Sequence, residues 1–94
     1  MRSFLITYDL RSPGRDYTGL HAAIKATGRW WHYLESTWVV TTSTYETADA
    51  MFSALRHHFG QNDRLFITPI HASDDRQGWL TQDAWSWLKT NVAP

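Results

Sequence analysis

Residues 30–42 read Trp30-Trp31-His32-Tyr33-Leu34-Glu35-Ser36-Thr37-Trp38-Val39-Val40-Thr41-Thr42. Aromatic and β-branched side chains fill both halves, and these suit the pleated, half-buried surface of a sheet. The one tight connection is Glu35-Ser36. The stretch therefore predicts two strands, Trp30 to Leu34 and Thr37 to Thr42, joined as a hairpin.

Upstream, Phe4 to Leu10 alternates, with Phe4, Ile6, Tyr8 and Leu10 on one side and Leu5, Thr7 and Asp9 on the other, the period of a strand. Arg11-Ser12-Pro13-Gly14 is turn chemistry, because proline presets φ and glycine tolerates a positive one. Asp16 can cap a helix in which Leu20, Ala23, Ile24 and Thr27 share a face. Gly28 is the expected left-handed stop of that helix. Downstream, Ser43-Thr44-Tyr45-Glu46 fits a capping box, and Ala48, Met51, Phe52, Leu55 and Phe59 follow at helical spacing. Gly60 ends that helix and Asn62-Asp63 turns the chain into a fourth strand, Arg64 to Ile70. Pro69 places the end of this strand at a sheet edge or beyond the ladder, since proline has no N–H to donate.

The order strand, helix, strand, strand, helix, strand predicts an α+β domain of ferredoxin-like βαββαβ type over residues 1–94. A short C-terminal helix is added to it. Thr81 as its N-cap would set Leu80 and Trp85 as the two ends of a hydrophobic staple. A helix of about ten residues is not stable alone in water. Its tryptophans need a surface, on this sheet or on a second subunit, and pairing of sheet faces makes a homodimer the expectation.

The totals narrow the functional classes. The chain has 94 residues, no cysteine, six tryptophans, and nine basic against nine acidic residues. Disulfides and thiolate metal sites are excluded. No apolar run approaches the roughly 18 residues needed to span a bilayer, and the start lacks the features of a signal peptide, so a cytoplasmic location is expected. Zero formal charge argues against a sequence-independent duplex binder, whose affinity comes largely from phosphate neutralisation. Seven of the nine basic residues are arginine, which suits local, bidentate phosphate contacts. No P-loop, GxGxxG or GxSxG motif occurs, which leaves ATP hydrolysis, dinucleotide redox chemistry and serine hydrolysis without support.

Asp9, near the end of the first strand and close to Arg11, is the most suggestive candidate. Two copies of its carboxylate meeting across a two-fold axis would suit Mg²⁺, which prefers oxygen ligands and activates water. The alternative is that Asp9 caps the turn or pairs with Arg11 or Arg15. His32 is placed to act as a proton donor near a phosphodiester, or is a strand histidine with a local hydrogen bond. Adjacent Trp30 and Trp31 point to opposite faces, so one is core. Trp31 as the exposed member would stack a base or join the dimer interface. Arg11 and Arg15 are candidates for phosphate, as are the hydroxyls of Ser36 and Thr37, unless these simply form the turn. His21, His57, His58 and His71 show no HxH or HExxH spacing, so zinc is not expected.

Taken together, Tyr8-Asp9-Leu10, Pro13-Gly14, Asp16-Tyr17, Trp30-Trp31-His32-Tyr33-Leu34, Ser36-Thr37-Trp38, Asp63-Arg64-Leu65 and Gly78-Trp79-Leu80 form a pattern over nearly the whole chain. It resembles the small SinR-like bacterial proteins, relatives of the second CRISPR-associated ("Cas-two") family. The resemblance implies a ferredoxin-like homodimer in which Asp9 matches an aspartate assigned to a shared metal. It implies a metal-dependent nuclease or a structural holder of nucleic acid or protein. This sequence departs in being less basic and richer in tryptophan.

Three functions are therefore in view. The first is a homodimer that engages RNA or a short oligonucleotide and cleaves it with Mg²⁺. The second is a non-catalytic sponge or sensor for cyclic or linear nucleotides in bacterial or phage defence. The third is an antitoxin-like interaction module with Trp79, Trp85 and Trp87 as anchors for a protein partner.

Overall fold

A computed structural model of the chain describes residues 1–12, 14 and 16–94. The strands are β1 (Arg2–Asp9), β2 (Arg29–Leu34), β3 (Thr37–Thr42) and β4 (Arg64–Ile70). The helices are α1 (Thr18–Lys25), α2 (Ala48–Leu55), continued by a 3₁₀ turn over Arg56–His58, and α3 (Gln82–Asn91). The sheet order is β2-β3-β1-β4, with every neighbouring pair antiparallel. This α+β arrangement, a four-stranded antiparallel sheet with three helices, is compatible with a small ferredoxin-like fold. Among the described residues no helix is long and apolar enough to cross a membrane.

Alternation along β1 divides the sheet into two faces, each with its own core. Phe4, Ile6 and Tyr8 meet Trp38 and Val40 of β3 on one face, and Leu20, Ile24, Met51 and Leu55 of α1 and α2 close over them. Trp31 and Val39 lie on the other face under Ala84, Leu88 and Val92, with Leu5, Ile70, Leu80, Trp85 and Trp87 partly buried around them. The C-terminal helix thus lies on its own sheet. Its cap is the expected one: the Thr81 hydroxyl accepts from the Ala84 N–H at 3.3 Å, and Leu80 and Trp85 both reach the second core.

A buried polar chain fastens the C-terminus. The Ala93 N–H donates to Ser3 Oγ at 2.8 Å, Ser3 Oγ and Thr41 Oγ1 are 2.6 Å apart, and the Thr41 hydroxyl donates to the Asn91 carbonyl at 2.8 Å. Among the described residues no buried side-chain polar atom lacks a partner, the usual condition for placing hydroxyls in a core.

Three local expectations change in detail. The cap of α2 is Thr47, whose hydroxyl accepts from the Ala50 N–H at 3.0 Å, and not Ser43. A β-region cap immediately before the first helical residue wins over the upstream capping-box pattern. Asp16 caps α1 from one position further out, accepting from the Thr18 N–H at 2.9 Å. Gly28 is required for space and not for a left-handed φ, because the only positive-φ glycine among the described residues is Gly14 at 79°. A Cβ on Gly28 would collide with the Thr41 carbonyl of β3. Gly28→Ala is therefore expected to destabilise the fold by about 2 kcal/mol through overpacking, read as a lower urea midpoint. An unchanged midpoint would show that β2 can shift away from β3. Pro69 does sit on an edge strand, opposite Phe4 of β1.

Candidate functional site

The end of β1 gathers most of the residues singled out in the sequence. Asp9 faces Arg64 in the β1–β4 register, and Thr7 faces Phe66. On the other side of β1, Thr7 faces Thr37, and their hydroxyls are 3.1 Å apart. The Ser36 carbonyl accepts from the Tyr8 N–H at 3.1 Å, which brings the hairpin connection beside Asp9. Here Ser36 contributes its backbone, and Thr37 spends its hydroxyl on Thr7. A shallow depression of about 300 Å³ runs along Thr7, Asp9, Arg64 and Phe66. Phe66 is 61% exposed above it.

Asp9 itself is exposed, and its Oδ2 accepts from Arg11 Nε at 2.6 Å. Of the two readings of Asp9, the geometry displays the pairing with Arg11. A Mg²⁺ ion here would have to displace Arg11 and draw further oxygens from water or a second copy, since Asp9 offers one carboxylate. Arg15 and Pro13 lie outside the described residues.

Arg11 is held by Asp63, which the sequence marks as a turn residue and as part of the Asp63-Arg64-Leu65 motif. The Asp63 carboxylate accepts from the Arg11 N–H at 2.6 Å, the Gly60 N–H at 2.6 Å, the Ser12 hydroxyl at 3.2 Å and the Tyr17 hydroxyl at 2.7 and 2.8 Å. Burial is the largest influence on its pKa and raises it. The N–H groups of Arg11 and Gly60 and the hydroxyls of Tyr17 and Ser12 together outweigh burial and bring it down to about 2. One anion thus ties the β1–α1 loop to the α2–β4 turn and sets where Arg11 leaves the sheet. The signal available in the sequence was Gly60 followed by Asn62-Asp63, which announces an Asx turn but not the distant loop it captures.

The tryptophan pair is inverted relative to expectation. Trp31 is the core member, 3% exposed, with its indole N–H donating to the Ala84 carbonyl at 3.1 Å. Trp30 is the exposed one, at 42%. The reason is α3: once it covers the second face, the tryptophan on that face is buried. Trp31 therefore offers no open ring face for a base. It lines a cleft of about 540 Å³ together with Leu5, Thr37, Leu88, Asp74, Asp75 and Arg76.

His32 is on the other side of the sheet from this group. It stacks on Trp38 of the first core at 3.6 Å, and its Nε2–H donates to the Glu35 carbonyl at 2.9 Å. Asp9 and His32 are thus not brought together as a catalytic pair. Of the three C-terminal tryptophans, Trp85 and Trp87 pack against the second core, and only Trp79 is fully exposed.

Known proteins add nothing to this geometry. No family model, no curated protein and no solved structure matches the chain.

Proposed function

We propose that this chain binds short single-stranded RNA or a nucleotide on the part of the second sheet face that α3 leaves open. The supporting observation is Phe66, 61% exposed on the sheet in a depression shared with Asp9 and Arg64, with Arg11 paired to Asp9 and the Arg64 guanidinium donating to the Asn62 and Asp63 carbonyls. An exposed aromatic ring on an open sheet, with arginines on the same end of the sheet, is the physical basis of sequence-tolerant recognition of single strands. Neutral overall charge suits a short ligand better than a long duplex.

The proposal extends the resemblance to SinR-like and Cas-two proteins, with the ferredoxin-like homodimer as the working form. Fully exposed Trp79 and half-exposed Tyr33 and Leu34 are among the exposed apolar groups available to a second copy. Binding, rather than hydrolysis, is the function we assign to Asp9, because its carboxylate serves to orient Arg11.

The test is titration of short RNA, single-stranded DNA and cyclic nucleotides, with and without Mg²⁺, followed by mass spectrometry of the ligand. Stacking on one ring contributes about 1–3 kcal/mol, so Phe66→Ala is expected to weaken binding roughly 5- to 140-fold. The bound ligand should be recovered intact. Shortened products that vanish with EDTA and in Asp9→Asn would instead establish metal-dependent endonuclease action. Sedimentation of the same sample reads the dimer directly.

A further inference from the structure

On the face opposite Asp9, where α1 meets β2, three nitrogen bases share one corner. His32 lies flat on Trp38, with ring centroids 3.6 Å apart and planes inclined by 12°. His21 of α1 is 5.5 Å from His32 and 5.4 Å from Trp38, inclined at 77° and 65°. Near-equal distances to both members of a stacked pair place His21 beside the stack, at the ring edges, rather than above it. Lys25 follows His21 by one helical turn and shares its face. Its Nζ is held 4.7 Å from the centroid of the Trp30 ring, a cation–π contact that positions the ammonium without neutralising it.

The surroundings of this corner favour an anion. Tyr17, Thr18, His21, Ala22 and Lys25 line an open groove of about 580 Å³ along α1. Among the described residues, none of His21, Lys25 and His32 is in ion-pair contact with a carboxylate. The nearby acid just before α1, Asp16, is engaged with the Thr18 N–H. Glu35 meets His32 through its backbone carbonyl. From β1 the group facing His21 is the Tyr8 hydroxyl, 3.5 Å from Nε2, and it also accepts from Trp38 Nε1 at 2.9 Å. Burial, then His32, then Lys25 hold the His21 imidazole below its ordinary pKa. The mutual repulsion of these groups is relieved by any dianion placed among them.

We propose that this α1–β2 corner is a second ligand site, which takes the phosphate group of a small phosphorylated molecule between Lys25 and His21, with His32 beside it. The site is independent of the sheet face assigned above, because it lies across the sheet from Phe66 and Asp9. Binding a dianion favours the imidazolium form of His21, so phosphate and a proton enter together.

The experiment is titration of the full-length protein at low salt with inorganic phosphate, adenosine 5′-monophosphate and adenosine, following the histidine ring resonances by NMR. Phosphate and the monophosphate are expected to shift His21 and His32 and to raise the His21 pKa, while adenosine leaves both unmoved. Lys25→Gln and His21→Gln, both surface changes, should each weaken phosphate binding about tenfold, the loss expected for one hydrogen bond to a charged group. Phe66→Ala should leave phosphate binding unchanged, which separates this site from the sheet face. Equal affinity for phosphate and the ester would identify the phosphate group alone as the ligand, and tighter ester binding a phosphorylated metabolite. Imidazole signals unmoved by millimolar phosphate, or variants that bind as well as the parent, would overturn the proposal. So would loss of binding in Phe66→Ala.

Discussion

Removal of residues 79–94 is expected to leave a chain that no longer unfolds cooperatively and that aggregates. The second core consists of Trp31 and Val39 from the sheet and Ala84, Leu88 and Val92 from the C-terminal segment. Burying a large apolar side chain stabilises by about 1.5–3 kcal/mol, so the four larger of these together rival the roughly 5–15 kcal/mol net stability of a domain. The loss also strips partners from buried polar groups. Trp31 Nε1 loses the Ala84 carbonyl, Thr41 loses the Asn91 carbonyl, and Ser3 loses the Ala93 N–H. Leu88→Ala gives the graded version, about 3 kcal/mol, as a fall in the urea midpoint at unchanged slope. Survival of a cooperatively folded truncated chain would mean that α3 is an appendage, and would return its tryptophans to the role of partner anchors.

Asp63→Ala is expected to lower stability by about 3 kcal/mol, which for a domain of this size is a fall of roughly 15 °C in Tm. Four groups lose one acceptor at once: the N–H of Arg11, the N–H of Gly60, and the hydroxyls of Ser12 and Tyr17. Hydrogen bonds to a charged group contribute about 1.5–3 kcal/mol each, but they share one carboxylate and water can replace some of them, so the total falls well below the sum. The effect carries a pH signature. The folded carboxyl titrates at about 2 against an ordinary value of 3.8. A group whose folded pKa is depressed stabilises fully above its unfolded pKa and loses that contribution as pH falls through the folded one. The stability gap between parent and Asp63→Asn should therefore be constant at neutral pH, shrink below about 4 and close near 2. A gap that persists at pH 2 would assign the loss to packing rather than to charge. Because Asp63 also places the backbone of Arg11, the alanine variant should weaken RNA binding even where it remains folded.

How much of this was legible depended on how local the cause was. The strands of the hairpin, the alternation of β1 and the Thr81 cap are set by neighbours within a few residues, and their patterns could be read directly. Gly28 was legible as a special position but not for the right reason, since the carbonyl that excludes a side chain there belongs to Thr41 on another strand. The choice between Ser43 and Thr47 as the cap of α2 turned on a few backbone dihedrals that either sequence pattern would tolerate. For the candidate site, Asp9 and Arg11 lie two residues apart, so their pairing is a local feature that the sequence carries. Phe66 as the exposed aromatic, and Asp63 as the anchor of the Arg11 loop, are not legible there, because Asp63 meets Arg11 across 52 residues of chain and the exposure of Phe66 depends on how far α3 reaches.

By itself the sequence determined the element order, the α+β class, the need for the C-terminal tryptophans to find an apolar surface, and the absence of any thiol chemistry. These follow from periodicity and composition, which act over a turn or a strand. Only the tertiary structure decided which sheet face α3 covers. That choice buried Trp31 and left Trp30 outside, while the pairing of the strands put His32 across the sheet from Asp9. It also brought His21 and Lys25 of α1 to Trp30 and His32 of β2. The physical reason is the same in each case: side-chain direction is local, but exposure and partnership depend on which other element comes to lie on that face.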